Sequence, residues 1–185
     1  ENDYPWISWL EAPAAAVSQR FFLSTNSRTD GTGTWTTYTF PVYYLLGAGA
    51  GLPAMAQTAL AMYEVAGVRK PVVIGLSSIA SAVGREIRAA MFNPATKLWS
   101  NVKQVATFAG TTTPGAAFLS ADWDSSGNIV MAFHDLGSGV LQTNCTGTAR
   151  CIRYYYTTDG GGTWTGTTSG VINGATYENP KIRLN

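Results

Sequence analysis

A chain of 185 residues, 45% apolar and only 12% charged, is long enough to bury one sizeable core or several small repeated units that share one, and its composition is not that of a disordered tail. Its 12 Lys and Arg are balanced by 11 Asp and Glu and form no basic cluster, which excludes the electrostatic footprint of a nucleic-acid binder. Twenty Gly, nine Tyr and six Trp, with many Thr and Ser, belong to short strands joined by tight turns, so the expected class is all-β.

The chain opens at Glu1 with neither a Met nor a charged, apolar leader, so either a removed leader or a portion of a longer protein is expected. The first strand-like run is YPWISWLE from Tyr4, followed by QRFFLSTNS, the turn RTDGTGTW (28–35) and a new Thr-rich strand. Residues 47–63, GAGAGLPAMAQTALAMY, form the longest apolar stretch. Pro53, Gln57, Thr58 and many small residues keep it short of the roughly 20 strongly apolar residues of a spanning helix, so no membrane span is expected. It reads as a strand preceded by an Ala/Gly-rich insertion that would equally fit a short helix. Next come KPVVIGLSS from Lys70, REIRAAMFN, the turn FNPATKLW and a strand after Trp99; then PGAAFLSADWD, NIVMAFHD, CIRYYYTTDGGGTW and, last, NPKIRLN.

The tryptophans supply a ruler for these segments. Trp35, Trp99 and Trp164 each follow a turn and stand 64 and 65 residues apart, while Pro53, Pro114 and Pro180 stand 61 and 66 apart. With strands lettered A to D in each unit, the chain reads B-C-D over 1–46, A-B-C-D over 47–110, A-B-C-D over 111–173 and a further A over 174–185. Repeated four-stranded antiparallel units, each sheet burying both faces against its neighbours, are the organisation of β-propeller blades. The runs NIVMAF, PVVIGL and FFL are apolar at successive positions, as two-sided burial requires. The expected fold is therefore a β-propeller segment of about three blades, a partial ring or half of a six-bladed one. Remaining blades of a longer chain are the favoured complement, and self-association of two copies is the alternative.

Thr157, Asp159, Gly161, Thr163 and Trp164 fit the pattern S/T-x-D-x-G-x-T-W, and in this the sequence resembles the Asp-box or BNR-repeat proteins, a sialidase-like group of β-propellers. The first copy keeps Asp30, Thr34 and Trp35 but has Arg28 for the Ser/Thr and Thr32 for the glycine. The residues account for a structural role. Asp accepts hydrogen bonds from turn amides, Gly permits positive φ, and the indole packs back across the hairpin. The resemblance puts this box on the outer rim, away from the ligand cleft.

Sialidases carry an arginine triad, a Tyr/Glu nucleophile pair and an Asp acid, and none of these transfers residue by residue. YENPKIRLN (177–185) gathers Tyr, Glu and Arg in a different order from F/Y-R-I-P, and Arg69, Arg85, Arg88, Arg153 and Arg183 form no assignable triad. With the family's ligand cleft at the B-to-C and D-to-A connections, the polar candidates there are Glu11, Arg85, Arg150 and Glu178, with His134 and Asp135 the most enzyme-like pair. Neighbours in a strand point to opposite faces, however, which separates His134 from Asp135. Trp6, Trp9, Trp123 and Tyr154, Tyr155 and Tyr156 are candidate sugar platforms that blade packing would also explain. Asp122 and Asp124, in DWDSSGN, resemble the opening of a Ca²⁺ loop, but Phe133 stands where the closing acid belongs, so a hairpin turn is expected and Ca²⁺ is the sole cofactor candidate. Cys145 and Cys151 fit a small hairpin disulfide, with free thiols the alternative, and Asn144 opens a glycosylation sequon.

Together these features lead to the expectation of an extracellular, cell-surface or periplasmic module that binds a glycan or a protein or serves a structural role. A sialidase-like glycoside hydrolase, with part of its site outside this chain, is the alternative.

Overall fold

The computed structural model describes residues 4–11, 18–41, 44–45, 57–78, 85–108, 119–135, 151–166, 172–173 and 181–184. They form thirteen strands: β1 (Trp6–Glu11), β2 (Ser18–Asn26), β3 (Trp35–Thr39), β4 (Tyr44–Leu45), β5 (Gln57–Val65), β6 (Val68–Ser78), β7 (Arg85–Asn93), β8 (Leu98–Phe108), β9 (Leu119–Trp123), β10 (Ile129–Asp135), β11 (Cys151–Thr157), β12 (Thr165–Gly166) and β13 (Ile172–Asn173). No helix occurs among the described residues, and none is therefore long and apolar enough to cross a membrane. The Ala/Gly-rich insertion, Pro53, Pro114 and Pro180 lie outside the described residues.

The strands make three antiparallel sheets, each running in chain order. The first is β1-β2-β3, with β4 also on β2; the second is β5-β6-β7-β8; the third is β9-β10-β11-β12, with β13 also on β11. In the first and third sheets the outermost strand is split into two short pieces along one neighbour, whereas β8 is continuous. Counted this way, the first sheet holds three strand positions and the other two hold four, as the unit reading B-C-D, A-B-C-D, A-B-C-D expects. The closing segment 181–184 is not paired as a strand. The Ile182 and Leu184 amides donate to Ser120 Oγ (3.4 Å) and Asp122 Oδ2 (2.7 Å) of β9.

Packing follows from alternation along the strands. In β6, Val72, Ile74 and Leu76 point one way and join Ile87, Ala89, Ile129, Met131 and Phe133 in a core between the second and third sheets. Val73 points the other way and, with Ala90 and Phe92, meets Phe21, Leu23 and Phe40 of the first sheet. The second sheet is thus buried on both faces, which is why PVVIGL carries no polar residue. Gly75 lies on the crowded side: a Cβ there would sit 2.6 Å from the Phe21 ring, so only glycine lets the first two sheets approach. Side-chain hydrogen bonds tie the leading strands together, Ser8 Oγ to Thr58 Oγ1 (3.1 Å) and Leu119 N to Gln57 Oε1 (2.7 Å).

The tryptophan ruler has a register meaning. Trp35 pairs with Asn26 and Trp99 with Phe92, and Trp164 precedes the Thr165–Tyr156 pair and so faces Thr157. Trp99 and Trp164 lie on the face of their sheet turned toward the sheet before it in the chain. Trp99 meets Phe40 and Phe92 at 5.5 and 5.1 Å, and Trp164 packs on the second core. Trp35, on the first sheet, is 43% exposed.

Candidate functional site

The A-to-B and C-to-D turns gather at one end of the sheets and the B-to-C and D-to-A connections leave from the other. The connections, 12–17, 46–56, 79–84, 109–118, 136–150 and 174–180, lie outside the described residues, and Cys145, Asn144, Arg150 and Glu178 lie outside with them. Glu11 ends β1, exposed, and Arg85 opens β7 opposite Ser78 and Phe108. His134 and Asp135 stand opposite Ile152 and Cys151, at the same end, with their side chains outside what is described. Trp123, also a binding candidate, is at the other end of the stack from Glu11 and Arg85.

The turn end is built by polar residues that close the C strands. Thr157 Oγ1 accepts from the Gly161 amide (3.0 Å) and donates to Asp159 Oδ1 (2.7 Å), which in turn accepts from the Thr163 amide (2.9 Å). Gly160 and Gly161 take φ of 67° and 88°, and the Trp164 indole lies against Gly161. The amide of Thr163 first, then the Thr157 hydroxyl, hold the Asp159 carboxyl below its ordinary value. This is the rivet that the motif led one to expect.

The first turn reaches the same end with different atoms. Buried Asn26 stands where Thr157 stands, and its Oδ1 accepts from Arg28 and Gly33 amides (2.9 Å each) while Nδ2 donates to the Gly31 and Gly33 carbonyls (2.9 and 3.1 Å). Asp30 contributes only locally, accepting from the Thr32 amide (2.9 Å) and hydroxyl (2.7 Å), which lower its pKa in that order. The first turn is therefore clamped from two residues upstream of Arg28. In FNPATKLW, Asn93 Oδ1 accepts from the Ala95 amide (3.0 Å), and Lys97 adopts φ 60° in place of a glycine. Asn101, at a bulge of β8 with φ 51°, donates to the Gly160 carbonyl (3.2 Å) and so fastens the third sheet's turn to the second sheet. Sequence reasoning missed Asn26, Asn93 and Asn101; an Asn ending each apolar run was the available signal for the first two.

DWDSSGN is the expected hairpin turn. Asp124 Oδ1 accepts from the Ser126 and Asn128 amides (2.9 Å each) and Oδ2 from Asn128 Nδ2 (2.6 Å), the last being the foremost cause of its lowered pKa. Among the described residues no group of three His, Cys, Asp or Glu could hold a metal ion.

Where these turns meet, a groove of about 1000 Å³ opens between the first two sheets. Tyr4, Trp6, Thr36 and Tyr38 form its first-sheet side, Gly67, Val68, Arg69 and Lys97 its second-sheet side, and Trp123 one end. Phe92 supports two of the rings from behind, Tyr38 at 4.4 Å and Trp6 at 6.1 Å, so the aromatic wall is preset. The Lys97 ammonium sits 5.7 Å above the Tyr38 ring, and Arg69 Nε lies 3.0 Å from Glu64 Oε2. Among the described residues the lining holds aromatic faces, hydroxyls and cations but no carboxylate or imidazole. Such a wall can stack and hydrogen-bond a ligand. No family model matches the chain, and comparisons with curated proteins and with solved structures likewise find no match.

Proposed function

We propose that the protein is an extracytoplasmic β-propeller segment of the Asp-box kind that acts as a glycan-binding module, with its ligand in the groove between the first two sheets. The observation carrying this reading is the groove's composition: Trp6, Tyr38 and exposed Trp123 line it, and Thr36, Tyr4 and Lys97 supply hydroxyl and ammonium groups beside them. Sugar rings pair axial C–H faces with aromatic planes and hydroxyls with polar neighbours, and a preset wall binds without the cost of ordering it. The propeller reading is supported by three sheets of the same strand order that share cores, and by hydrogen bonds between leading strands that recur at the same 62-residue separation, 57 to 119, 120 to 182 and 122 to 184.

A glycan array followed by calorimetric titration of the best saccharide tests this. Trp123→Ala is expected to weaken binding by about tenfold, the equivalent of ~1.4 kcal/mol for one lost stacking partner. Failure of every saccharide to bind, or an unchanged affinity in Trp123→Ala and Tyr38→Ala, would overturn it. A fluorogenic sialoside run in parallel is expected to stay dark; turnover would favour the hydrolase reading instead.

A further inference from the structure

Two turns of this chain carry the same tripeptide, Thr29-Asp30-Gly31 and Thr158-Asp159-Gly160, and no other Asp-Gly pair occurs in the sequence. Asp followed by Gly is where a backbone can rearrange unaided. With no Cβ to shield it, the glycine amide nitrogen reaches the aspartate Cγ and closes a five-membered imide. The fold decides whether each turn leaves room for that ring.

The third sheet's turn does not. Gly160 is buried, and a Cβ there would stand 2.7 Å from the Tyr63 ring and 2.9 Å from Met91 Sδ. Its carbonyl accepts from Asn101 Nδ2 at 3.2 Å, and Asp159 belongs to the clamp itself, Oδ1 accepting from the Thr163 amide at 2.9 Å and the Thr157 hydroxyl at 2.7 Å. Ring closure at Asp159 has first to undock the turn from the second sheet and open that clamp. The first turn differs. Asp30 is exposed, and nothing lies within 4 Å of the Cβ position of Gly31. The bonds of the Asp30 carboxylate stay within the exposed tip, to the Thr32 amide (2.9 Å) and hydroxyl (2.7 Å) and to Arg28 Nε at 3.7 Å. Asn26 holds the hairpin, so releasing Asp30 leaves the clamp's bonds to Arg28 and Gly33 in place.

We propose that Asp30 is a site of spontaneous isoaspartate formation in the folded protein, and that Asp159, in the same tripeptide, is shielded from it. The Gly31 nitrogen attacks Asp30 Cγ; a C–N bond forms, the carboxyl C–O bond breaks, and one water leaves with the amide proton. Water then adds back to the imide. Opening at the side-chain carbonyl restores aspartate, and opening at the main-chain carbonyl leaves the chain running through Cγ, with no net change in mass. The freed α-carboxylate is the group that an isoaspartyl O-methyltransferase esterifies. The proposal rests on how the two turns pack and not on the ligand reading, and either can fail without the other.

Ageing the full 185-residue chain in neutral buffer, followed by peptide mapping with electron-transfer fragmentation, separates the two isomers at each site. Isoaspartate at position 30 is expected to exceed that at position 159 by about tenfold or more, the ratio set by one extra local opening of ~1.4 kcal/mol. In the urea-unfolded chain the two positions should react alike, because their tripeptides are identical. Gly31→Ala should suppress the product at position 30, since its methyl group shields the attacking nitrogen. Equal accumulation at the two sites of the folded protein would overturn the proposal, as would no product at position 30 under conditions where the unfolded chain forms it. So would a lag at position 159 that is as large in urea, which would put the difference in the sequence and not in the fold, or an undiminished rate at position 30 in Gly31→Ala.

Discussion

Replacing Asn26 with alanine isolates the device that holds the first turn. The side chain is buried and its amide reaches across the turn from both sides, with two accepted bonds from Arg28 and Gly33 and two donated to Gly31 and Gly33, all between 2.9 and 3.1 Å. At a net ~0.5–1.5 kcal/mol each, four bonds amount to about 2–6 kcal/mol. The turn tip is exposed, so water re-solvates part of what alanine abandons, and the expected loss lies in the lower part of that range, about 2–4 kcal/mol. That is a large fraction of the ~5–15 kcal/mol stability of an ordinary domain. Equilibrium unfolding in guanidinium, followed by tryptophan fluorescence, measures it. Asn26→Thr, which installs the residue found at the same place in the third sheet, should fall between alanine and wild type because a hydroxyl reaches only one side of the loop. An alanine variant within about 0.5 kcal/mol of wild type, the usual spread for an inert surface change, would refute the clamp.

Two further outcomes follow from the turns. Gly160 and Gly31 both have positive φ, 67° and 76°, but a Cβ at Gly160 would meet the Tyr63 ring at 2.7 Å and Met91 Sδ at 2.9 Å, while one at Gly31 meets nothing within 4 Å. Gly31→Ala should therefore cost only the left-handed backbone penalty of about 1–2 kcal/mol, and Gly160→Ala clearly more; equal losses in chemical denaturation would show that the turn does not dock on the second sheet. For pH, Asp159 is held below the ordinary carboxylate value of 3.8, chiefly by the Thr163 amide. A lowered folded-state pKa contributes stability that is present in full above about pH 3.8 and is lost as pH falls through the lower folded value. The thermal midpoint of the wild type should drop below that pH more steeply than that of Asp159→Asn, and parallel curves would remove Asp159 from the account.

Much of the architecture was legible from the residues. The B-C-D, A-B-C-D, A-B-C-D order was readable because β2, β6 and β10 carry runs that are apolar at successive positions and each C strand runs into a turn containing Gly, Asp or Asn. The Thr157–Asp159–Trp164 clamp was readable because those side chains act within one short hairpin, where sequence distance and spatial distance are nearly the same. The first box was harder. Its Asp30 aligns, yet the clamp belongs to Asn26, since a longer loop shifted the bonding partner without shifting the recognisable letters.

What the chain by itself determined is local: the strands, their order within each sheet and the turns that join them, because periodicity and hydrogen-bonding side chains act over a few residues. Only the tertiary structure decided which faces meet. That Trp99 and Trp164 pack into cores between sheets while Trp35 is 43% exposed depends on which faces meet, and that Trp6 and Trp123 share a groove depends on residues more than a hundred positions apart. Contacts at that distance are selected by shape and burial across the whole stack, which no local pattern encodes.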